Sequence, residues 1–423
     1  MEDDIRQLAQ KARTAGHALS LIPAEARKAA LLETARRLEE IGEPLWAANR
    51  KDLETAAALG ISPAMLDRAT LNPGRLASMV NGLRSVAALT DPVGETFDGA
   101  TLPNGLRVVR KRVPLGVLAV IFESRPNVTT EISALGIKTG NSVILRGGRE
   151  SLETNKVLVG LVRAACAESG LPEDTVQLIT STDRALVPQL LRMDDLIDLV
   201  IPRGGQQLQN LVKEHARMPV VYGGIGVCHL FVDSSADLAR SIPVIVNAKV
   251  QAPSVCNALD TVLVHREVVA ELVPAMVRAL NEQGVQVLCD PESMSAAVNA
   301  GLQNELLAPA GEGDFGREFL SLVVSVKVVG DLEEAIQHIA QYSTHHSDGI
   351  LTESYTNANR FLDMVDSAVV YVNASTRFTD GGQLGLGAEV AISTQRMHAR
   401  GPMGLRELTT YKWVVQGDYH VRR

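Results

Sequence analysis

Aromatic side chains are scarce in this sequence, at 4% of 423 residues, and its net charge is −8. Proteins that bind single-stranded nucleic acids stack the bases on aromatic side chains and attract the phosphates with a basic surface. No apolar run approaches the roughly 20 residues that a membrane-spanning helix needs. The longest near-continuous run, residues 113–122, is typical of a buried strand. The composition therefore argues against a nucleic-acid partner and against a membrane partner.

Cysteines are also few, and they lie far apart. Cys166, Cys228, Cys256 and Cys289 include no CxxC pair, so no disulfide framework is indicated. Scattered thiols in a chain of this length are typical of a reducing compartment. The sequence begins Met-Glu-Asp-Asp-Ile, without the basic and apolar regions of a signal peptide. We therefore expect a cytoplasmic protein.

The length of the chain, 423 residues, predicts two or three domains. Its N-terminal part is predicted to be helical, because Pro23 suits a first helical turn and Gly42 ends the apolar pattern that follows. Next, Asn104-Gly105 predicts a β-hairpin with a type I′ turn, since both residues accept a positive φ. The basic residues just after this turn favour a solvated or subunit-contacting arm over an anion site.

From residue 113 onwards the pattern changes to alternating strands and helices. The strands are predicted at residues 117–122, 142–145, 176–179, 196–201, 260–264, 285–288, 320–329 and 408–415, and the helices include 152–168, 235–246 and 267–283. Ser151 is predicted to cap the first of these helices. Such alternation is typical of a parallel sheet covered by helices, so we expect an α/β fold with a second α/β stretch from about Asp233.

Two turns that follow predicted strands are rich in glycine. Their residues are Arg146, Gly147, Gly148 and Arg149 in the first, and Gly204 and Gly205 in the second. Glycine lets a phosphate approach the backbone, and the N-terminus of the next helix stabilises its charge. Neither turn has the GxGxxG pattern of a dinucleotide fingerprint, so each could equally be a tight structural connection. Two such turns at the carboxyl ends of parallel strands favour a ligand site.

Cys256 lies in a setting unlike that of the other cysteines. Its loop, residues 251–257 (Gln-Ala-Pro-Ser-Val-Cys-Asn), is polar and lies between a predicted helix and a predicted strand. The other cysteines lie in apolar helix or strand patterns, where a thiol is a small buried hydrophobic group. Because a reactive thiol must be accessible and its thiolate stabilised, Cys256 is the candidate nucleophile.

Longer motifs point to a family. They are residues 123–129 (Glu-Ser-Arg-Pro-Asn-Val-Thr), 247–258 (Asn-Ala-Lys-Val-Gln-Ala-Pro-Ser-Val-Cys-Asn-Ala), 373–381 (Asn-Ala-Ser-Thr-Arg-Phe-Thr-Asp-Gly) and 398–405 (His-Ala-Arg-Gly-Pro-Met-Gly-Leu). Together they resemble the gamma-glutamyl phosphate reductases, a family within the aldehyde dehydrogenase superfamily, and the resemblance extends over nearly the whole chain. It implies an aldehyde dehydrogenase-like α/β fold with a Rossmann-like cofactor domain, an α/β catalytic domain and a small oligomerisation arm.

The resemblance also implies a domain plan. Residues 1–232 would form the NADP-binding domain, with a hairpin arm for oligomerisation at about 97–113. Residues 233–398 would form the catalytic domain that carries Cys256, and residues 399–423 a tail with an oligomerisation strand. A homo-oligomer is therefore expected, and a complex with glutamate 5-kinase is left open.

Single residues acquire roles from the same resemblance. Cys256 corresponds to the catalytic nucleophile, and Glu318 to the glutamate that binds the ribose of the nicotinamide half. Gly204 and Gly205 correspond to the turn beneath the cofactor phosphates. Without the resemblance, Glu318 would be interpreted as a surface carboxylate in a turn.

The cofactor implied is NADPH/NADP. Arg146 stands where the wider superfamily has a lysine that binds the adenosine ribose. Arg149 stands three positions later, where an acidic residue often repels a 2′-phosphate. Two cations beside a pair of glycines favour a cofactor with the extra phosphate.

Two positions depart from ordinary aldehyde dehydrogenases. Their general-base glutamate corresponds to Val221 here, and their oxyanion-hole asparagine aligns with Glu123. Asn127 is the candidate for the oxyanion hole, but it can serve only if the loop is rebuilt. The aliphatic residue at position 221 argues against a hydrolytic reaction.

The implied reaction is the NADPH-dependent reduction of L-glutamate 5-phosphate to L-glutamate 5-semialdehyde and phosphate, through a thioester on Cys256. It is the second step of proline biosynthesis from glutamate, and the product would cyclise to 1-pyrroline-5-carboxylate. Arg125 and Arg377 are candidates for binding the phosphate and carboxylate of the substrate, since guanidinium groups match both anions. Either arginine could instead be an ordinary salt-bridge residue.

Other functions stay open at this stage. One is a thiol-dependent dehydrogenase with a different acyl phosphate or a hydrolytic outcome, and another is a non-catalytic dinucleotide-binding scaffold, against which the intact Cys256 loop argues. A metal site is not expected. His345 and His346 are adjacent and would point apart on regular structure, and with Asp348 they lack a further ligand at a usable spacing.

Overall fold

The structure, a computed structural model, describes residues 2–61, 63–123 and 125–422. Within them, the α-helices are α1 (Glu2–Leu19), α2 (Ala24–Glu40), α3 (Glu43–Ala58), α4 (Pro63–Ala69), α5 (Pro73–Ala88), α6 (Pro126–Lys138), α7 (Leu152–Glu168), α8 (Leu186–Leu190), α9 (Gln206–His215), α10 (Leu238–Val250), α11 (Val269–Glu282), α12 (Pro291–Asn299), α13 (Leu332–Tyr342) and α14 (Tyr355–Met364). The strands of the same residues are β1 (Thr96–Thr101), β2 (Arg107–Pro114), β3 (Val117–Phe122), β4 (Ser142–Arg146), β5 (Val176–Leu178), β6 (Leu199–Arg203), β7 (Cys228–Val232), β8 (Leu259–His265), β9 (Gln286–Cys289), β10 (Leu307–Pro309), β11 (Val323–Val329), β12 (Ser347–Leu351), β13 (Val369–Val372), β14 (Ile392–Ser393), β15 (Gly401–Pro402) and β16 (Thr409–Gln416). None of these helices is both long and apolar enough to cross a membrane.

The chain folds into two compact units. Unit 1 contains Met1–Gly223, Gly385–Ala391 and Met403–Arg423, and unit 2 contains Gly224–Leu384 and Ile392–Pro402. The sequence analysis placed the first boundary after residue 232. Residues 224–232 belong to unit 2 instead, because β7 pairs with β8 and β12 of the sheet in that unit.

Unit 1 is built on a parallel sheet with the strand order β5-β4-β3-β6. Every residue of β3 is apolar and buried, which is the pattern of a parallel strand covered on both faces. The predicted strand 117–122 and the predicted helix 152–168 are confirmed to the residue. Because the strands are parallel, their carboxyl ends meet at one edge of the sheet, where open α/β sheets bind ligands.

Ser151 is the N-cap residue of α7, as predicted, but its side chain does not make the capping hydrogen bond. It accepts no backbone N–H of the first turn, and its hydroxyl accepts from the side chain of Asn155 at 3.2 Å. The carboxylate of Asp52 accepts the N–H groups of Glu153 and Thr154 at 3.0 and 2.7 Å. A distant carboxylate therefore takes the free donors that a local serine would otherwise satisfy.

A small antiparallel sheet, β1-β2-β16, also belongs to unit 1. The predicted hairpin is confirmed, but its turn is not type I′, because Gly105 has a positive φ of 92° and Asn104 does not have one. Gly105 N–H donates to the Leu102 carbonyl, and Leu102 N–H to the Leu106 carbonyl, each at 2.8 Å. The loop is thus longer than two residues and is closed by a glycine, a common alternative in hairpins.

Unit 2 is built on a parallel sheet with the strand order β10-β9-β11-β8-β7-β12-β13. Its core is aliphatic, and α10 and α11 pack against the sheet through buried residues such as Ile245, Leu272 and Met276. The carboxylate of Asp237 caps α10 by accepting the N–H of Arg240 at 3.1 Å. Residues 251–258 connect α10 to β8 and form the predicted loop that carries the candidate thiol.

Candidate active site

Cys256 differs from the other cysteines in its exposure. It is half-buried in a turn of unit 2, whereas Cys166, Cys228 and Cys289 are buried. Burial raises the pKa of Cys166 to about 12 and that of Cys289 to about 11, and it raises the pKa of Cys228 well above its usual range. These three thiols are therefore held in the unreactive protonated form at neutral pH. The exposure agrees with the sequence-based choice of Cys256 as the accessible thiol.

The backbone of Cys256 lies against Gly226. A Cβ atom at position 226 would overlap the carbonyl oxygen of Cys256, so no larger residue fits there. The thiol of Cys228 donates to that same carbonyl oxygen at 3.3 Å. The N–H of Gly226 donates to Oε1 of Glu318 at 3.0 Å. Gly226 therefore brings the thiol loop and the Glu318 carboxylate to the same point of unit 2.

Arg377 lies beside the thiol loop. Its Nε donates to Oε1 of Gln251 at 2.7 Å. Nδ2 of Asn257 donates to the carbonyl of Thr379 at 2.8 Å, and the hydroxyl of Thr376 donates to the carbonyl of Asn257 at 2.7 Å. These bonds fasten the short turn that carries Arg377 to the residue next to the nucleophile.

The positive charge of Arg377 interacts electrostatically with the thiol of Cys256. Partial burial lowers the pKa of Arg377, and its attraction to the Cys256 thiolate opposes that effect. A guanidinium group close to a thiol favours the thiolate, which is the nucleophilic form. Gln251 and Asn257 stand in the motif that gave the family resemblance, but the motif does not reveal that they position Arg377.

A buried ion pair lies within unit 2 close to the same loop. Lys249 in α10 and Asp260 in β8 are 3.6 Å apart (Nζ to Oδ1), with side chains 0% and 2% exposed. Asp260 also accepts the N–H of Phe319 at 3.1 Å and that of Cys228 at 3.4 Å. The pair therefore connects the helix before the nucleophile to the segment that carries Glu318.

Burial governs the protonation of both partners. It raises the pKa of Asp260 to about 6, although Lys249 attracts the carboxylate. It lowers the pKa of Lys249, against the attraction of Asp260. Because each charge depends on the other for compensation, removal of one partner leaves an uncompensated charge in the interior.

Lys249→Met is expected to destabilise the protein by about 3–5 kcal/mol at pH 8, since it leaves Asp260 buried without its partner. A carboxyl whose folded pKa is raised contributes its full stability below its unfolded pKa and loses it as the pH rises through the folded value. Asp260 already titrates at about 6, and loss of Lys249 raises its pKa further. The deficit in unfolding midpoint should therefore be larger at pH 8 than at pH 5. Adding Asp260→Asn should recover part of the loss, and a deficit independent of pH would contradict the role of Asp260.

In unit 1, the glycine-rich turns lie where the sequence placed them. Arg146 is the last residue of β4, and Gly147 and Gly148 follow it. A Cβ at Gly147 would overlap the side chain of Asn155, and one at Gly148 would overlap the carboxylate of Glu150. A side chain at either position would have to displace a neighbouring protein side chain, so both positions favour glycine.

The second turn joins β6 to α9. A Cβ at Gly204 would lie 2.6 Å from Oε2 of Glu123, whereas one at Gly205 would meet nothing within 4 Å. The N–H of Gly205, the N-cap of α9, donates to Oε2 of Glu123 at 3.2 Å. A helix N-terminus that already binds an oxygen anion suits a phosphate oxygen. The Gly205 N–H and the nearby arginines are groups that suit phosphate oxygens, and a phosphate at Gly205 would have to replace the Glu123 carboxylate.

The remaining candidates of unit 1 lie near the ends of β3 and β6. Arg125 is half-buried at the N-cap of α6. Asn127 lies in the first turn of α6, and its Nδ2 donates to Oε1 of Glu131 at 2.9 Å. Val221 is 1% exposed, and its N–H donates to the Val200 carbonyl at 3.0 Å. The Asn127 amide therefore has a protein partner that an oxyanion would have to replace.

Near the adjacent histidines, Asp348 takes part in a buried hydrogen-bond network within the protein. His346 and Asp348 are buried, and Oδ1 of Asp348 binds Nδ1 of His229 at 2.9 Å. The hydroxyl of Ser343 donates to Oδ2 of the same carboxylate at 2.7 Å. In the part of the chain that the structure describes, no three His, Cys, Asp or Glu side chains converge as metal ligands.

Comparison with known proteins agrees with this geometry. Residues 1–306 match the aldehyde dehydrogenase family. Gamma-glutamyl phosphate reductases of Roseiflexus castenholzii and Shewanella amazonensis are each 52% identical, over 99% and 98% of this chain and of their own. The crystal structure of gamma-glutamyl phosphate reductase from Thermotoga maritima superimposes with a TM-score of 0.94, at 46% identity and 99% coverage of both chains. An acetylating aldehyde dehydrogenase from Geobacillus thermoglucosidasius, 16% identical with a TM-score of 0.71 over 100% of this chain and 98% of its own, shares the fold. The chain is thus an oxidoreductase with the aldehyde dehydrogenase fold, and it belongs to the gamma-glutamyl phosphate reductases within the aldehyde dehydrogenase family.

Proposed function

We propose that this enzyme reduces L-glutamate 5-phosphate to L-glutamate 5-semialdehyde and phosphate with NADPH. The observation that carries the proposal is the half-buried thiol of Cys256 beside Arg377, in a chain 52% identical to proteins named gamma-glutamyl phosphate reductase. The reaction is the second step of proline biosynthesis from glutamate, in the cytoplasm. Its product then cyclises to 1-pyrroline-5-carboxylate.

Cys256 performs the covalent step. Its thiolate attacks the carbonyl carbon of the acyl phosphate, the carbon–oxygen bond to phosphate breaks, and a thioester remains. When bound, the nicotinamide supplies a hydride to the thioester carbon. The carbon–sulfur bond then breaks, the aldehyde leaves, and the thiolate is ready for the next turnover. The backbone N–H of Cys256 and the amide of Asn127 are the proposed donors to the oxyanion, which would have to replace Glu131 as the partner of Asn127.

Two arginines bind the anionic ends of the substrate. Arg377, beside the thiol, suits the leaving phosphate, and Arg125 suits the carboxylate, because a guanidinium fork matches both groups. The assignment of the two arginines to the two anions can be exchanged without changing the chemistry. Gln251 positions Arg377 through the bond to its Nε.

Several residues are proposed to bind the cofactor. Glu318 would bind the ribose of the nicotinamide half, since a carboxylate accepts from two neighbouring hydroxyls. Gly204 and Gly205 would lie beneath the phosphates. Arg146 and Arg149 would bind the adenosine ribose and its 2′-phosphate. NADP-binding and catalytic domains then correspond broadly to units 1 and 2.

The β1-β2-β16 sheet supports the proposal of a homo-oligomer. Tyr411, Trp413 and Val415 of β16 are 45%, 53% and 57% exposed, which is unusual for apolar residues on one strand. Arg110 lies 4.8 and 4.7 Å from the ring centroids of Tyr411 and Trp413. A neighbouring subunit would cover this surface. A complex with glutamate 5-kinase stays open.

A reverse-direction assay tests the proposal most directly. Glutamate 5-semialdehyde, NADP and phosphate should together produce NADPH, and omission of the phosphate should stop turnover. Production of NADPH with other aldehydes but not with this one would point to a different acyl phosphate. Absence of turnover with every aldehyde, with NADP still bound, would favour a non-catalytic scaffold.

Arg149→Glu is expected to narrow or reverse the preference for NADPH. The exposed guanidinium of Arg149 follows the glycine pair, and a carboxylate there would repel a 2′-phosphate. A hydrogen bond to a charged group is worth about 1.5–3 kcal/mol, so the ratio of kcat/KM for NADPH over NADH should fall about 10- to 100-fold. Arg192→Glu, the same charge change at another exposed arginine of unit 1, should leave the ratio unchanged. Equal efficiency with both cofactors in the unmodified enzyme would refute the preference.

A further inference from the structure

An exposed loop follows β5 at the ligand-binding edge of unit 1. β5 ends at Leu178 and α8 begins at Leu186, and all side chains from 180 to 185 are exposed. β5 pairs in parallel with β4, and the N–H of Ile179 donates to the Leu145 carbonyl at 2.9 Å. The loop therefore leaves the sheet beside the turn that contains Arg146. Arg184 lies in this loop.

Three arginines bring positive charge to this edge, namely Arg146, Arg149 and Arg184. The charge of Arg184 lowers the pKa of Arg146, second only to burial, and Arg149 acts in the same direction. None of the three guanidinium groups forms an ion pair or a side-chain hydrogen bond with any residue that the structure describes. Arg163 of the same unit, by contrast, lies 3.0 Å from both Glu173 and Asp174. Like charges that converge are unfavourable unless anions balance them.

Two carboxylates also act on the cluster, and one of them, Glu123, accepts a backbone N–H. Glu150 and Glu123 both attract Arg146. The carboxylate of Glu150 fills the space beside Gly148, and that of Glu123 accepts the N–H of Gly205. The three guanidinium groups outnumber these two carboxylates, so the cluster suits a doubly charged phosphate monoester, which guanidinium groups bind through paired hydrogen bonds.

Strand order decides which phosphate of the cofactor lies here. The Gly204-Gly205 turn follows β6, and β5 and β6 are the two outer strands of the sheet. Three strand spacings separate them, about 14 Å. The pyrophosphate proposed for the Gly204-Gly205 turn is thus too distant for Arg184 to be its main partner. The 2′-phosphate at the adenosine end, beside β4, lies within reach.

We propose that Arg184 is a third cation of the subsite that binds the 2′-phosphate of NADPH, together with Arg146 and Arg149. This inference rests on the proposed use of NADPH and adds a residue that determines cofactor specificity. The family motifs did not include Arg184. It would have been found by asking which side chains follow the strand next to β4.

The test is a binding measurement on the whole enzyme. The dissociation constants of NADPH and NADH are determined by calorimetry for the unmodified enzyme and for Arg184→Gln. Loss of a charged hydrogen bond corresponds to about 10- to 100-fold weaker binding, so NADPH should weaken by that factor and NADH should be unchanged. Arg184→Lys should retain part of the NADPH affinity. Arg192→Gln, which removes the same charge elsewhere in unit 1, should alter neither constant.

Each other outcome has a definite meaning. Equal weakening of NADPH binding and NADH binding would mean that Arg184 contacts a part of the cofactor that both molecules share. That result would overturn its role in specificity. An enzyme that prefers NADPH and keeps that preference in Arg184→Gln overturns the role of Arg184 alone. An unmodified enzyme that binds NADH as tightly as NADPH would instead overturn the proposed cofactor preference itself. The exposed loop makes loss of folding unexpected, and an unchanged unfolding midpoint confirms that each variant is comparable.

Discussion

Cys256→Ala is expected to abolish turnover while the fold and the binding of NADPH are retained. Removal of the nucleophile removes the covalent step itself, so the rate should fall by on the order of 10⁴-fold or more. The change deletes one sulfur from a half-buried turn, and the bond that fixes this turn comes from Cys228 to the carbonyl of residue 256. That bond survives in the variant. The measurements are the rate of NADPH formation from glutamate 5-semialdehyde and the unfolding midpoint.

The other cysteines supply the control. Cys166→Ala and Cys289→Ala remove buried thiols whose pKa values are raised to about 12 and about 11. They should cost stability of about 1 kcal/mol and leave the rate unchanged. Treatment with iodoacetamide should modify Cys256 before the buried thiols, as mass spectrometry of the digested protein would reveal. Substantial activity in the Cys256→Ala variant would contradict the covalent mechanism.

Sequence patterns predicted correctly those helices and strands whose bounds depend on neighbouring residues alone. β3 is an unbroken apolar run, and α7 has helical spacing up to Gly170, whose φ of 76° ends the helix; both were predicted to the residue. Ser151 is the N-cap of α7 as predicted, but it makes no capping hydrogen bond, because Asp52, far away in the sequence, accepts from the helix donors. The prediction of a type I′ turn was wrong because Asn104 and Gly105 belong to a longer loop.

In the candidate site too, some features could be predicted from the sequence and others depend on the folded chain. The Cys256 loop could be recognised because Pro253 and polar neighbours interrupt the helix and strand on either side. The bond from Arg377 to Gln251 joins residues 126 positions apart, and only the folded chain reveals it. The Lys249–Asp260 pair is similarly hidden, since a lysine in an amphipathic helix is usually solvated. The sequence reveals which side chains are present, whereas the hydrogen bonds and ion pairs between them depend on tertiary packing.

Oxidation of glutamate 5-semialdehyde is expected to require phosphate. In that direction the thiol captures the aldehyde, hydride transfer follows, and a thioester remains on Cys256. A hydrolytic dehydrogenase would release it by activating water with a glutamate. By the family resemblance Val221 corresponds to that position, and its aliphatic, buried side chain cannot accept a proton. Loss of a positioned general base typically costs on the order of 10²- to 10⁴-fold, so attack by water should be slow.

Phosphate needs no such base, because it is already anionic and nucleophilic at neutral pH, and Arg377 beside the thiol is the cation proposed to bind it. The steady-state rate should therefore rise from near zero as phosphate is added, and arsenate should substitute for it. A stopped-flow record in phosphate-free buffer should show one burst of NADPH per active site and then almost no further formation. Arg377→Gln should raise the phosphate concentration needed for half-maximal rate, since the proposed cation for this anion is lost. Sustained turnover without phosphate, with free glutamate as the product, would show that another group activates water and that the enzyme is a hydrolytic dehydrogenase.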